Sequence, residues 1–415
     1  METRKSAPLD VEAIREDYPI LQREFGGEQV VYLDNAATTQ TPDQVVDAIA
    51  DYYRYTNANV HRGIHHLSQE ASIAYEEAHD ELAEFVGASG GREEMVFTKN
   101  TTESENLVAY AWGLNELGPG DEVVLTEMEH HASLVTWQQI GKRTGADVKY
   151  IRIDENGELD MDHAKELITD DTEMVSVVHV SNTLGTVNPV RELGEVAHDH
   201  DAYIFVDGAQ AVPNRPVDVE TIDADFYAFS GHKMAGPTGI GGLYGKKHVL
   251  EEMEPYLYGG DMIKKVTYED AVWNDLPWKF EAGTPVIAQG IALAEAVDYL
   301  EDLGMENVQR HEEQLAAYAY DRLAEFDDVE IYGPPAGEER GGLVAFNLDG
   351  VHAHDLASIL NDYAVAIRAG DHCTQPLHDR LGVAASARAS FYVYNTRDEI
   401  DRLVEGIEAA RELFA

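Results

Sequence analysis

From Glu94 to Gly245 the chain alternates short apolar runs with stretches of helical periodicity. The strand candidates are Met95–Thr98, Glu122–Thr126, Val148–Ile153, Met174–Val180, Tyr203–Val206, Ala224–Phe229 and Gly242–Tyr244. Such alternation marks a mostly parallel sheet covered by helices, so the expected fold class is α/β. From Ile287 to Phe326 the pattern turns helical, and a Gly/Pro-rich loop, Gly333 to Gly342, leads into a shorter strand–helix region. The chain closes on an amphipathic helix, where Thr396 and Glu399 form a capping box and Ile400, Leu403, Val404, Ile407 and Leu413 share a face. A length of 415 residues exceeds one small core. The expected division is an N-terminal segment 1–25 packing on the small domain, a large domain 26–290, and a small domain 291–415.

Charge narrows the function. With 30 basic against 78 acidic residues the formal net charge is −48, which disfavours nucleic acid, since a phosphate backbone needs a basic face. Only 11 of the 30 basic residues are lysine, and the acid is spread along the whole chain. An acidic, lysine-poor surface suits molar salt, where screening removes self-repulsion, so a halophilic protein is expected. No apolar run approaches the ~18 residues of a membrane span, and the first residues carry no secretory pattern, so a cytoplasmic location is expected. One cysteine, Cys373, leaves no intrachain disulfide and no four-cysteine metal site.

Polar residues follow the apolar runs at a repeated place. Val123–Leu125 runs on to Glu129-His130-His131, Val175–Val180 into Ser181-Asn182, Ile204–Val206 into Asp207-Gly208-Ala209-Gln210, and Phe226–Phe229 into Ser230-Gly231-His232-Lys233. Ligands of open α/β sheets bind beyond the carboxyl ends of the strands, so these residues should meet in one crevice. Pyridoxal phosphate (PLP) asks for such a set: a lysine for its aldehyde, a carboxylate at the ring nitrogen, a flat group against the ring and an anion site. Lys233 suits the first, Asp207 the second, with Gln210 near the ring hydroxyl, and His130 the third. Thr101 and Thr102 open a helix after a strand and suit the phosphate, with Ser230 and His232 as further donors. Taken singly each has a plainer explanation. Asp207 could cap a turn, Thr101 a helix, and Lys233 could be solvated, while the histidines lack the third ligand of a metal site, so no metal is expected.

Near the C-terminus, polar and turn-forming residues surround Cys373 in Arg368-Ala369-Gly370-Asp371-His372-Cys373-Thr374. A cysteine in a mobile polar loop beside His372 reads as a nucleophile, because a nearby cation favours thiolate. Arg388 is placed to grip a carboxylate, or else forms a structural ion pair.

Together with Leu33-Asp34-Asn35-Ala36-Ala37-Thr38-Thr39, Asn59-Val60-His61-Arg62-Gly63 and Phe280-Glu281-Ala282-Gly283-Thr284-Pro285, these motifs resemble the SufS-type (group II) cysteine desulfurases from about residue 15 to the end. The resemblance implies the aspartate-aminotransferase fold of PLP enzymes (fold type I) and a homodimer. It implies PLP on Lys233, stacking on His130, Asp207 at the ring nitrogen, and Asn182 and Gln210 beside the ring. Thr102, Ser230 and His232 would take the phosphate, and Thr284 the phosphate of the neighbouring subunit. Arg388 and Arg368 would bind the substrate, L-cysteine or L-selenocysteine, and Cys373 would pass its sulfur to an iron–sulfur assembly protein. Relatives usually read Gly-His-His-Cys-Ala where this chain has Gly370-Asp371-His372-Cys373-Thr374, and Arg-Gly where it has Lys99-Asn100. The competing readings are a selenocysteine lyase, an aminotransferase or kynureninase-like enzyme, and a catalytically silent scaffold for iron–sulfur assembly.

Overall fold

Seven strands make the main sheet of the computed structural model, which describes residues 8–414. In chain order they are β1 (Met95–Thr98), β2 (Glu122–Thr126), β3 (Asp147–Ile151), β4 (Thr172–Val178), β5 (Tyr203–Asp207), β6 (Phe226–Ser230) and β7 (Gly241–Gly245). Their order across the sheet is β1-β7-β6-β5-β4-β2-β3. Strands β2 to β6 pair in parallel, and β7 runs antiparallel to both β6 and β1. Each apolar run of the sequence is one of these strands. β3 and β4 stop two residues before their runs do, because Ile153 and Val180 leave the ladder for isolated bridges to Leu159 and Val187 while staying buried.

Alternate side chains of each strand feed two cores. Val124, Val175, Val177, Ile204, Val206 and Phe229 face one, and Val123, Leu125, Met174, Phe205, Phe226 and Leu243 face the other. Burial on both faces is why these strands read as continuous apolar runs rather than alternating ones.

A second sheet follows, made of β8 (Val329–Tyr332), β9 (Leu343–Leu348), β10 (Arg368–Gly370) and β11 (Ser386–Ser390). It is antiparallel, in the order β8-β9-β11-β10. Its core, with Val344, Phe346, Leu356, Leu403 and Ile407, also takes Val31 and Leu33 from the start of the chain. Thr396 and Glu399 exchange hydrogen bonds at the start of the last helix, Arg397–Phe414. Leu413, expected on its apolar face, is 71% exposed, since that face outruns the core by a turn.

Residue 290 lies inside the helix Ile287–Leu303, which packs on the large core. The chain changes cores along the next helix, Met305–Leu323: Val308 belongs to the large core, and Leu315 and Leu323 to the small one. Of the first 25 residues, 1–7 lie outside the described part. Arg15 ties the rest to Glu399 and to the Tyr394 carbonyl, and Tyr18 packs between Tyr299 and Tyr394. Among the described residues no helix is long and apolar enough to cross a membrane.

Candidate active site

The parallel strands end at one edge of the sheet, and each hands on a polar residue. After β1, Asn100 caps the helix Thr101–Val108 by accepting from the Glu103 amide, and Glu103 accepts from the Lys99 amide. The Thr101 N–H donates to Ser230 Oγ (2.9 Å), and Thr101 Oγ1 lies 2.8 Å from the same oxygen. A helix N-terminus and a hydroxyl pair thus share one corner, the arrangement that receives an anion.

After β2, His130 caps the helix His131–Thr144, its Nδ1 accepting from the Ala132 amide. Burial, with Lys233 nearby, pushes this imidazole down to about 3, leaving a neutral flat ring. Asp207 ends β5 fully enclosed, with Oδ1 accepting from the Ala209 amide at 2.9 Å. Burial raises its pKa, and Lys233 and that amide oppose the rise. Lys233 closes the single turn Gly231–Lys233 after β6. A Cβ on Gly231 would stand 2.9 Å from the Ile240 carbonyl, so only glycine lets the turn pack this closely. Burial pushes the Lys233 ammonium down to about 8, against the pull of Asp207. His232 falls to about 4 for the same reason.

The second sheet supplies the opposite wall. Arg388 on β11 is buried and donates to the Asn182 carbonyl at 2.7 Å. Arg368 on β10 stands directly across from it. Cys373 is exposed, and its loop is hydrogen-bonded to the large sheet's side of the cavity. The His131 amide donates to the Cys373 carbonyl (2.8 Å), Asn182 Nδ2 to the His372 carbonyl (2.8 Å), and Thr374 Oγ1 lies 2.9 Å from Thr183 Oγ1. His372 is not the cation expected beside the thiol. Its ring turns inward to Ser386, and burial holds it neutral. The cations whose fields reach Cys373 are Lys233, Arg368 and Arg388.

One cavity of about 270 Å³ is lined by Thr101, Thr102, His130, Asn182, Asp207, Gln210, Ser230, His232, Lys233, Arg368, Cys373 and Arg388. Thr284 is exposed and does not line it. Sequence reasoning gave no role to the segment Leu33–Thr39, which touches the site along its length. Asp34 contacts both arginines, the Ala36 carbonyl accepts from Gln210, and the Thr38 hydroxyl and Thr39 amide donate to the His232 carbonyl beside Lys233. The signal was the motif itself, quoted for its resemblance but not for its chemistry. Glu105 was also missed. It is fully buried, accepts from Trp137 Nε1 and Ser176, and is pushed up to about 8 by burial, with Asp207 adding to it.

Aminotransferase class-V matches residues 31–403. The chain belongs to this family of PLP enzymes. A class-V relative from Haloferax volcanii, named cysteine desulfurase, is 74% identical over the whole of both chains. The apo structure of a cysteine desulfurase from Thermococcus onnurineus superposes with a TM-score of 0.92 at 41% identity, covering 98% of each chain. The cysteine desulfurase CsdA of Escherichia coli superposes with a TM-score of 0.91 at 37% identity, covering 99% of this chain and all of the other. The cavity fits the class-V cofactor, pyridoxal phosphate. Asp207 is a buried carboxylate of the charge that suits a cationic ring nitrogen, the Asn182 Oδ1 is buried without a partner, and the Thr101–Ser230 corner has the helix end and hydroxyls that suit an anion.

Proposed function

We propose that this chain is a PLP-dependent cysteine desulfurase of the SufS type, taking L-cysteine to L-alanine and leaving a persulfide on Cys373. The observation that carries this reading is the position of Cys373. The only cysteine of the chain is exposed at the cavity that also holds Lys233, Asp207 and Arg388. Lys233 would hold the cofactor, with Asp207 at the ring nitrogen, His130 against the ring and Asn182 and Gln210 beside it. Thr101, Thr102, Ser230 and His232 would take the phosphate. When bound, the cofactor acts as an electron sink for the substrate Cα.

The chain's own groups supply the rest. Arg388, with Arg368, grips and orients the substrate carboxylate. Lys233 is the base for the Cα proton, and its lowered pKa makes the free amine accessible near neutral pH. The Cys373 thiolate attacks the substrate sulfur. A new S–S bond forms as the C–S bond breaks, and the released carbon skeleton takes up a proton at Cβ and recovers one at Cα from Lys233 to become alanine. The persulfide then passes to an acceptor protein of iron–sulfur cluster assembly.

A homodimer completes this reading. Thr284 lies outside its own cavity, which suits a contact with the phosphate of a second subunit. Ile64 is 94% exposed and lies two residues from Arg62, which meets Asp261, while the neighbouring residue, Gly260, accepts from the Gly283 amide beside Thr284.

The test is Cys373→Ser in high salt with a reductant. The variant should bind PLP and L-cysteine as the parent does, while alanine release from L-cysteine collapses, because a hydroxyl is a poor nucleophile toward sulfur. Alanine formation at near the parental rate would overturn the persulfide route, and full activity kept on L-selenocysteine alone would mark a selenocysteine lyase.

A further inference from the structure

Arg368 and Arg388 face each other across adjacent antiparallel strands, a register that is unfavourable when both residues are cations. Arg388 is nearly fully buried, with 2% of its side chain exposed, so burial and Arg368 together push its pKa down to about 10. A single carboxylate answers both. Asp34 takes Arg368 in a two-oxygen grip, with Nε at 3.0 and 3.2 Å and one terminal nitrogen at 2.9 Å, and its Oδ1 lies 3.5 Å from a terminal nitrogen of Arg388. The backbone places Asp34 independently of these contacts. The Leu33 amide donates to the Ala366 carbonyl, the Leu33 carbonyl accepts from the Ser390 amide, and Asp34 bridges to Ser390. Arg388 is held on one side by the Asn182 carbonyl and on another by Asp34, while its Nε is buried without a partner.

We propose that Asp34 is a positioning residue for substrate recognition. It holds the two arginines side by side at the cavity wall, where their remaining donors receive the carboxylate of an α-amino acid. It also leaves the trio with one net positive charge, matched to one carboxylate. This rests on the reading that Arg388 binds that carboxylate.

The test uses PLP-loaded enzyme in molar KCl, with steady-state kinetics on L-cysteine and calorimetric titration with L-alanine. Asp34→Asn should raise KM and the L-alanine Kd about tenfold, the effect of a lost charge-assisted hydrogen bond. Its kcat and visible cofactor spectrum should stay near those of the parent, and Asp34→Glu should recover most of the binding. An unchanged Kd in Asp34→Asn, or a fall in kcat and cofactor content without a change in Kd, overturns the assignment. Arg388→Gln separates the two layers. If it leaves KM unchanged, the carboxylate reading fails and this inference with it. If it raises KM while Asp34→Asn does not, only the role of Asp34 fails. Should Asp34→Asn not accumulate as folded protein, an Arg368→Gln background removes the cross-strand repulsion. The Asp34 change should then be tolerated, and measured against Arg368→Gln it should cost much less than tenfold in binding. A further tenfold loss in that background would show that Asp34 does not act through the arginine pair.

Discussion

Lys233 and Asp207 carry opposite charges in the same enclosed cavity, and each partly offsets the other's desolvation. For Lys233 the result is a pKa of about 8, against about 10.4 for an ordinary lysine. The ammonium dominates below pH 8 and the free amine above it, so the reactive fraction rises with pH through that value. The rate at which cofactor-free protein takes up PLP should therefore climb with pH and reach half its maximum near 8, followed by stopped-flow absorbance. Asp207→Asn removes the carboxylate that raises Lys233, so its midpoint should lie lower still. A midpoint near 10.4 would contradict the burial described above, and borohydride reduction with peptide mapping should place the label on Lys233. That Lys233, Asp207 and His130 would meet in one crevice was legible in the sequence, because each follows an apolar run and strand ends share an edge. Asp34 was not. It acts through Arg368, 334 positions away, and only the fold brings them together. His372 was misjudged for a related reason, since adjacency to Cys373 in sequence says nothing of which way its ring turns.

Among the elements, the loop from Gly370 to Thr374 combines left-handed backbone with hydrogen bonds to the large sheet. His372 and Cys373 both adopt left-handed backbone, at φ 48° and 60°, each costing about 1 kcal/mol outside glycine. Hydrogen bonds offset that cost. Asp371 Oδ1 accepts from the Cys373 amide and the Asp371 carbonyl accepts from Thr374, while His131, Asn182 and Thr183 hold the loop from the large sheet. Thr374 is fully buried, so Thr374→Val keeps the shape but strands the Thr183 hydroxyl, a loss of about 1–3 kcal/mol. The expected result is faster hydrogen exchange at the Cys373 and Thr374 amides and a severalfold drop in kcat, with KM for L-cysteine little changed. Unaltered exchange would show that the hydroxyl pair does not fix the loop. The strands of the main sheet could be read residue by residue, because burial on both faces makes them uniformly apolar. The pinning of this loop could not, since it depends on a backbone carbonyl and a hydroxyl whose partners sit 190 and 191 positions earlier in the chain.

At the scale of the whole molecule, the net charge of −48 is a stability term as much as a solubility one. Glu81 on the helix His66–Phe85 shows it locally. Burial raises its pKa to about 7, and Asp298, Glu77, Glu295 and Glu301 add to the rise. A folded-state pKa above the unfolded value means that the folded form binds the proton more tightly. The contribution is fully present below about 4.5 and is lost as pH rises through 7. Glu81→Gln should therefore raise the melting temperature at pH 8, have little effect near pH 4.5, and matter more at 0.1 M than at 2 M KCl, where the Debye length falls below about 3 Å. For the parent protein, dialysis into 0.1 M salt should cost native circular dichroism and activity. Lasting activity there would refute the halophilic reading drawn from its composition. One further consequence follows from where the two sheets are fastened. The small sheet is moored to the large one at the cysteine itself, by contacts from His131, Asn182 and Thr183. On the desulfurase reading proposed above, delivery would be a matter of reach. A partner taking sulfur from this chain would have to come over the rim to an exposed Cys373, and the shape of its docking face would then decide who is served.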